Sequence, residues 1–116
     1  MAIQKQEVDN LLSQLNKKEI KFSEVLQFIE AHYTHTGTAF KNGEQHNAAT
    51  ENQGSAKVLS FAQANNLSEE ETLQLFAEHY DDVLGTPEAT NHQNIRQFMK
   101  SGWDGVQFEG SALTER

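Results

Sequence analysis

Apolar residues recur at spacings of three and four in five separate segments, and this pattern constrains the fold of the 116-residue chain more than any other feature. Each segment places its apolar side chains along one face of a helix, and that face must be buried against another element. The predicted core positions are Ile3, Val8, Leu11, Leu12 and Leu15; Val25, Leu26, Phe28, Ile29 and Tyr33; Val58, Leu59, Phe61 and Ala62; Leu73, Leu75, Phe76, Tyr80 and Val83; and Ile95, Phe98 and Met99. The sequence therefore predicts an all-α fold, a single small bundle of about five helices.

Several residues mark where these helices begin and end. The first helix falls within residues 1–21 and ends at the polar run after Leu15. Ser68 and Glu71 have the spacing of a capping box, which is the clearest helix start in the chain, and Gly85 is expected to end that helix. Residues 111–116 are predicted to be a frayed tail. The length suits one domain spanning residues 1–116.

The stretch from Thr34 to Gly54 lacks the helical periodicity and is predicted to be one long polar loop. Its strongest turn signal is Asn42-Gly43, because both residues tolerate a positive φ. This signal permits a short β-hairpin between Thr36–Phe40 and the residues after Glu44. A loop of this length in so small a domain is typically either functional or poorly ordered.

Charge and composition exclude several classes of function. Seventeen acidic residues against nine basic ones give a net charge of −8, which repels nucleic acid and anionic membranes, so neither is expected as a partner. The chain has no cysteine, which excludes a thiolate nucleophile and a cysteine-based zinc site and suits a cytoplasmic protein. No phosphate-binding or dinucleotide motif is present, and no cofactor is expected.

Candidate functional residues concentrate in the long loop, and two interpretations of them stay open. A binding loop would use the polar residues His35, Thr36, Thr38, Asn42, His46 and Asn47. A small metal-binding protein or enzyme could form if the loop folds over the helices, with His35, His46 and His79 as the candidate metal ligands. The alternative is that these histidines are hydrogen-bonded to backbone or water and hold no metal, because their spacing matches no metal motif.

Two further features are compatible with protein interaction. Trp103 lies close to Gly102 and Gly105, where a partly exposed ring could anchor a protein partner, although burial of the ring is the default expectation. An apolar helix face would also permit a homodimer.

Three blocks carry a resemblance to a known family: THTGTAFKNG at residues 34–43, GSAKVLSFA at 54–62 and NIRQFMKSGWDG at 94–105. With the residues between them, from Phe22 to Gly110, they resemble the HopJ type III effector family. The resemblance implies a bacterial protein of an effector-like class and supplies no catalytic residues. We therefore expect a non-enzymatic protein that acts through protein interaction, with secretion by a type III system as a hypothesis.

Overall fold

A computed structural model describes residues 5–115 as a mixed α and β fold. These residues form six α-helices, one 3-10 helix and five short strands in two small sheets. In chain order the elements are α1 (Lys5–Asn16), α2 (Phe22–His32), β1 (Tyr33–His35), β2 (Phe40–Asn42), β3 (Gln45–Asn47), α3 (Gln53–Ala64), α4 (Glu69–Gln74), α5 (Glu78–Gly85), α6 (Gln93–Ser101), the 3-10 helix (Gly102–Gly105), β4 (Val106–Phe108) and β5 (Leu113–Glu115). The prediction of an all-α bundle of about five helices is therefore wrong.

The helical faces predicted from the sequence form most of the core. The buried side chains that were predicted are Val8, Leu11, Leu12, Leu15, Val25, Ile29, Tyr33, Val58, Leu59, Phe61, Ala62, Leu73, Leu75, Phe76, Val83, Ile95 and Phe98. Full burial of one such large side chain stabilises the fold by about 1.5–3 kcal/mol, so these faces are enough to draw the helices together. Met99 is an exception and is exposed. Ile3 lies outside the described residues.

One sheet has three antiparallel strands in the order β3-β2-β4. The turn predicted at Asn42-Gly43 is confirmed, since Gly43 has a φ of +60° between β2 and β3. The first strand of this hairpin begins at Phe40, later than the predicted Thr36. On the other edge of β2, Phe40 lies opposite Phe108 and their rings stack at a centroid distance of 5.0 Å.

The second sheet pairs β1 with β5 in an antiparallel register. The backbone N–H of Thr36 extends this pairing by donating a 2.8 Å hydrogen bond to the carbonyl of Ala112, whose side chain is buried. The expectation of a frayed tail over residues 111–116 is therefore wrong as far as Glu115, because backbone pairing and a buried side chain hold that segment. Arg116 lies outside the described residues.

The predicted fourth helix divides into two helices. Its start is confirmed as a capping box, in which the Glu71 N–H donates to Ser68 Oγ at 3.1 Å and the Ser68 N–H donates to Glu71 Oε1 at 2.9 Å. The helix stops after Gln74, and the chain turns through Ala77, which has a φ of +52°. A second helix, α5, then begins at Glu78 and has His79 in its first turn.

The helices are short, and α1 and α3 reach 12 residues each. A bilayer crossing needs about 20 consecutive apolar residues. Between Lys5 and Glu115, no helix is long and apolar enough to cross a membrane.

Candidate functional site

Besides its pairing with β5, the start of the polar stretch is held by the amide side chain of Gln53 in the first turn of α3. Gln53 Oε1 accepts the backbone N–H of Thr38 at 3.2 Å and lies 3.1 Å from His35 Nε2. Its Nε2 donates to the carbonyls of Thr38 at 3.3 Å and Glu51 at 2.7 Å. His35 and Thr38, both predicted binding residues, are therefore engaged within the fold, whereas the Thr36 side chain is exposed.

Four asparagines form a hydrogen-bonded network between the β2–β3 hairpin and the start of α6. Asn42 Nδ2 donates to the Asn94 carbonyl at 2.7 Å and to Asn94 Oδ1 at 3.2 Å. Asn94 and Asn47 exchange two side-chain bonds, at 3.1 and 3.2 Å. Asn52, which precedes α3, donates to Asn47 Oδ1 at 2.7 Å. The predicted binding residues Asn42 and Asn47 thus serve to fix the hairpin against two helix starts.

This network is largely buried, with Asn42, Asn47 and Asn94 exposing 0%, 3% and 5% of their surfaces. Burying polar groups is tolerated when they are hydrogen-bonded, and each missing partner costs about 1–3 kcal/mol. In the described part of the chain, Asn42 Oδ1 is a buried side-chain atom without a partner. Apolar side chains between the hairpin and the two helix starts would avoid this cost. The network is therefore better explained by how it positions the hairpin and the helix starts than by a gain in stability.

The network borders a cleft of about 440 Å³ that we call the histidine cleft. The starts of α2, α3 and α6 meet the first turn of α5 there. Its apolar wall consists of Phe22, Phe76 and Ile95, and its polar lining includes Gln45, Asn52, Ser55, His79, His92 and Gln93. The predicted loop, through Gln45 and Asn52, therefore shares one cleft with His79, whereas His35 and His46, the other predicted metal ligands, do not line it.

The two histidines of the cleft lie against each other. The His79 ring is 5.0 Å from the His92 ring and 4.8 Å from the Phe22 ring, measured between centroids. His92 Nε2 lies 3.0 Å from Asp82 Oδ2, which orients the His92 ring. His79 makes ring contacts and no side-chain hydrogen bond within the described residues, and its side chain is half-buried.

Glu78 ties α5 to α2 beside this cleft. The backbone N–H of Phe22, the first residue of α2, donates to Glu78 Oε1 at 2.7 Å. Partial burial by itself raises the pKa of Glu78, but the backbone N–H groups of Phe22 and Glu78, with the charges of His79 and Lys21, outweigh it and hold the pKa below its ordinary value. Glu78 is therefore an ionised hydrogen-bond acceptor near neutral pH.

The starts of α3 and α6 lack the caps that complete most helix N-termini. Their N-cap residues, Asn52 and His92, are both in the left-handed conformation and make no side-chain cap bond. Neither helix has an acidic residue in its first turn, in contrast to α4, which has three. The Ile95 N–H donates to the His92 carbonyl at 3.1 Å, but no side-chain cap and no first-turn carboxylate offsets the positive ends of these two helix dipoles at the cleft.

The predicted metal ligands are not brought together. His35 contacts Gln53, His46 is exposed on β3, and His79 lies in the histidine cleft. Over residues 5–115, no group of three histidine, aspartate or glutamate side chains is arranged to hold a metal ion.

Trp103 packs on its own chain. Its ring makes an edge contact with Phe98 at 4.9 Å, and its indole N–H donates to the Leu67 carbonyl at 3.3 Å. Its backbone N–H donates to Glu69 Oε2 at 3.3 Å. The ring is half-buried by these contacts, and a role as an anchor for a partner stays a prediction.

Sequence reasoning missed several residues of the cleft. His92, Gln93 and Ser55 belong to helix starts, where polar residues are common and carry no signal of a site. The signal available was the absence of acidic residues in the first turns of α3 and α6 in a chain rich in acids. The absence of acidic residues from these two first turns indicates a site only once the two helix starts are known to share a cleft.

Comparisons with known proteins place the chain in a family. The sequence profile of the HopJ type III effector protein matches residues 8–113. A solved structure, the crystal structure of the unknown function protein VPA0580, is 43% identical with a TM-score of 0.89, and the match covers 100% of this chain and 97% of that chain. No curated protein matches the chain. Because the profile spans nearly the whole sequence, this chain belongs to the HopJ type III effector family.

Proposed function

We propose that this HopJ-family protein binds a small molecule carrying a phosphate or carboxylate group in the histidine cleft, and that it does so without catalysing a reaction. One observation carries the proposal: two histidines and two uncapped helix starts face a cleft whose lining, within residues 5–115, includes no carboxylate. The rest of the chain is strongly acidic, with a net charge of −8. The cleft is therefore a local site for anions on a protein that otherwise repels them.

The hydrogen-bond donors at the cleft match the oxygens of such a ligand. Helix N-termini bind anions because their first N–H groups point outward and the helix dipole adds about half a positive charge. The side-chain amides of Gln45, Asn52 and Gln93 each donate one N–H within the fold, and the second N–H of each amide adds a further donor. The asparagine network fixes the β2–β3 hairpin, α3 and α6 relative to one another, so the ligand would not have to organise these donors itself.

The acidic groups beside the cleft support binding rather than catalysis. A general acid working near neutral pH needs a raised pKa, and the pKa of Glu78 is lowered. Asp82 is paired with His92. In the described part of the chain, Ser55 forms no hydrogen bond with either histidine, so an activated serine nucleophile is not assembled.

Membership of an effector family also supports a proposal about location, that the protein is made in the bacterial cytoplasm and exported by a type III system. A reporter fused to residues 1–30 should leave secretion-competent cells and stay inside cells that lack the apparatus. Equal retention in both strains would contradict export.

Ser55→Glu is the sharpest test of the ligand proposal. Ser55 lies in the first turn of α3, where a carboxylate is favourable to the helix, so the variant should fold at least as well as the parent. The new carboxylate would occupy the cleft and repel an anion. We expect inorganic phosphate and citrate, titrated separately into isotope-labelled protein, to shift the amide resonances at the starts of α3 and α6. Ser55→Glu should weaken that binding by at least about tenfold.

Gln63→Glu is the matched control. It adds the same charge to the same helix at an exposed position near the other end, and it should change the affinity by less than about twofold. The proposal would be refuted if neither probe shifted those resonances, or if the two variants weakened binding equally.

A further inference from the structure

A second feature lies on the face formed by α5 and α6, outside the histidine cleft. In the region from Lys5 to Thr114, two large hydrophobic side chains are exposed: Leu84 at 53% and Met99 at 45%. Both line one groove of about 360 Å³, which we call the α5–α6 groove and which is further lined by Val83, Pro87, Arg96 and Lys100. Exposed apolar side chains that are scattered singly are normal, but two that share a groove indicate a contact surface.

The α5–α6 groove is basic on an acidic protein. Arg96 and Lys100 are one helical turn apart on α6, and none of the described residues that line the groove carries a carboxylate. The guanidinium of Arg96 is held by bonds to the Thr86 carbonyl at 2.8 Å and to Asn91 Oδ1 at 2.8 Å, and all its bonds go to uncharged groups. Among the residues that the structure describes, neither Arg96 nor Lys100 forms an ion pair. Two positive charges, one of them fixed in position, thus flank an apolar surface.

We propose that the α5–α6 groove docks an amphipathic helix of a partner protein, whose apolar face covers Leu84 and Met99 and whose carboxylates pair with Arg96 and Lys100. Charge complementarity selects this occupant, because carboxylates one turn apart on a helix match the spacing of the two basic residues. A second copy of this chain fits less well, since each copy carries a net charge of −8 and two copies repel. This surface is separate from the ligand proposal and stands whether or not the histidine cleft binds an anion.

The test uses two synthetic helical peptides of equal length and identical apolar pattern, one with glutamates and the other with lysines at the flanking positions. Each is titrated into isotope-labelled full-length protein. The glutamate peptide should shift the resonances of α5 and α6, and the lysine peptide should bind at least about tenfold more weakly. Raising the salt concentration should weaken binding of the glutamate peptide, because exposed charges are screened.

Two charge reversals distinguish the effect of a groove residue on peptide binding from the effect of the protein's net charge. Lys100→Glu should weaken binding of the glutamate peptide by about tenfold, whereas Lys17→Glu, an equal change at an exposed position after α1, should leave it within about twofold. Met99→Gln should also weaken binding while leaving the fold intact, because the side chain is exposed. Equal binding of both peptides, or resonance shifts outside α5 and α6, would overturn the proposal. Self-association that Leu84→Gln abolishes would also overturn it, by making a second copy the occupant.

Discussion

Replacing Asn94 by alanine tests whether the asparagine network holds the fold as described. The side chain accepts bonds from Asn42 Nδ2 and Asn47 Nδ2, each at 3.2 Å, and donates one to Asn47 Oδ1 at 3.1 Å. A buried hydrogen bond contributes about 1 kcal/mol net, so losing three costs about 3 kcal/mol. Alanine regains about 0.5 kcal/mol of helix propensity in α6, which leaves an expected loss of about 2.5 kcal/mol.

The cost is moderated by the bonds that remain. Asn42 Nδ2 keeps the backbone carbonyl of residue 94 at 2.7 Å, and Asn47 Oδ1 keeps Asn52 Nδ2 at 2.7 Å. The amide nitrogen of Asn47 is left with two long contacts of 3.4 Å, so most of the penalty should fall on that group. We therefore expect a destabilised but folded protein, with a melting temperature about 10 °C lower.

Urea unfolding followed by circular dichroism measures this loss as a lower midpoint at an unchanged slope. Asn10→Ala is the control, because it removes the same amide from an exposed position in α1 and should change stability by less than about 0.5 kcal/mol. A loss below about 1 kcal/mol for Asn94→Ala would refute the reasoning, because it would mean that the network bonds are not formed in solution.

Two further substitutions test local features. Because the pKa of Glu78 is lowered in the folded protein, its carboxylate contributes stability above the ordinary value of 4.5, and this contribution is lost as pH falls through the folded value. Glu78→Gln should therefore cost about 0.5 kcal/mol at pH 7 after solvent screening and nothing in strong acid. Urea midpoints measured at both pH values would show this difference. Gly102→Ala should cost about 2 kcal/mol by thermal unfolding, because φ is +59° and ψ is −153°, a conformation that side chains other than glycine rarely adopt. The Glu69 carboxylate that a Cβ would meet lies at the end of a flexible side chain and can move away. Gly85→Ala, with no atom within 4 Å of its added Cβ, should cost less than about 0.5 kcal/mol.

The helices could be predicted because burial along a helix repeats in the local sequence. Residues such as Val25 and Ile29 are one turn apart, and both are buried for the same reason. The sheets could not be predicted in this way. Each strand has three residues, too few to show an alternating pattern, and β1 pairs with β5 from the opposite end of the chain. Pairing between strands so far apart in the sequence depends on how the helices between them pack.

Burial of polar residues explains why the sequence predicts a loop over residues 34–54. Asn42 and Asn47 are core positions of the β2–β3 hairpin, but by hydropathy they look like solvent-exposed residues. The sequence predicts one long polar loop here with its polar residues in ligand contact, and the loop prediction is wrong where β1, β2 and β3 occupy the stretch. The structure gives Asn42 and Asn47 a positioning role, and leaves Gln45 and Asn52 of the stretch to line the cleft.

This division between positioning and contact residues predicts how stability and binding are linked. Asn94 belongs to the network, to the first turn of α6 and to the lining of the cleft, so Asn94→Ala should lose stability and anion affinity together. Ser55 lines the cleft without joining the network, so Ser55→Glu should lose affinity alone. Measuring both quantities for both variants separates the roles. If Asn94→Ala kept its full affinity for phosphate while losing stability, the network would be a device of the fold only, and the position of the α6 start would not matter for the ligand.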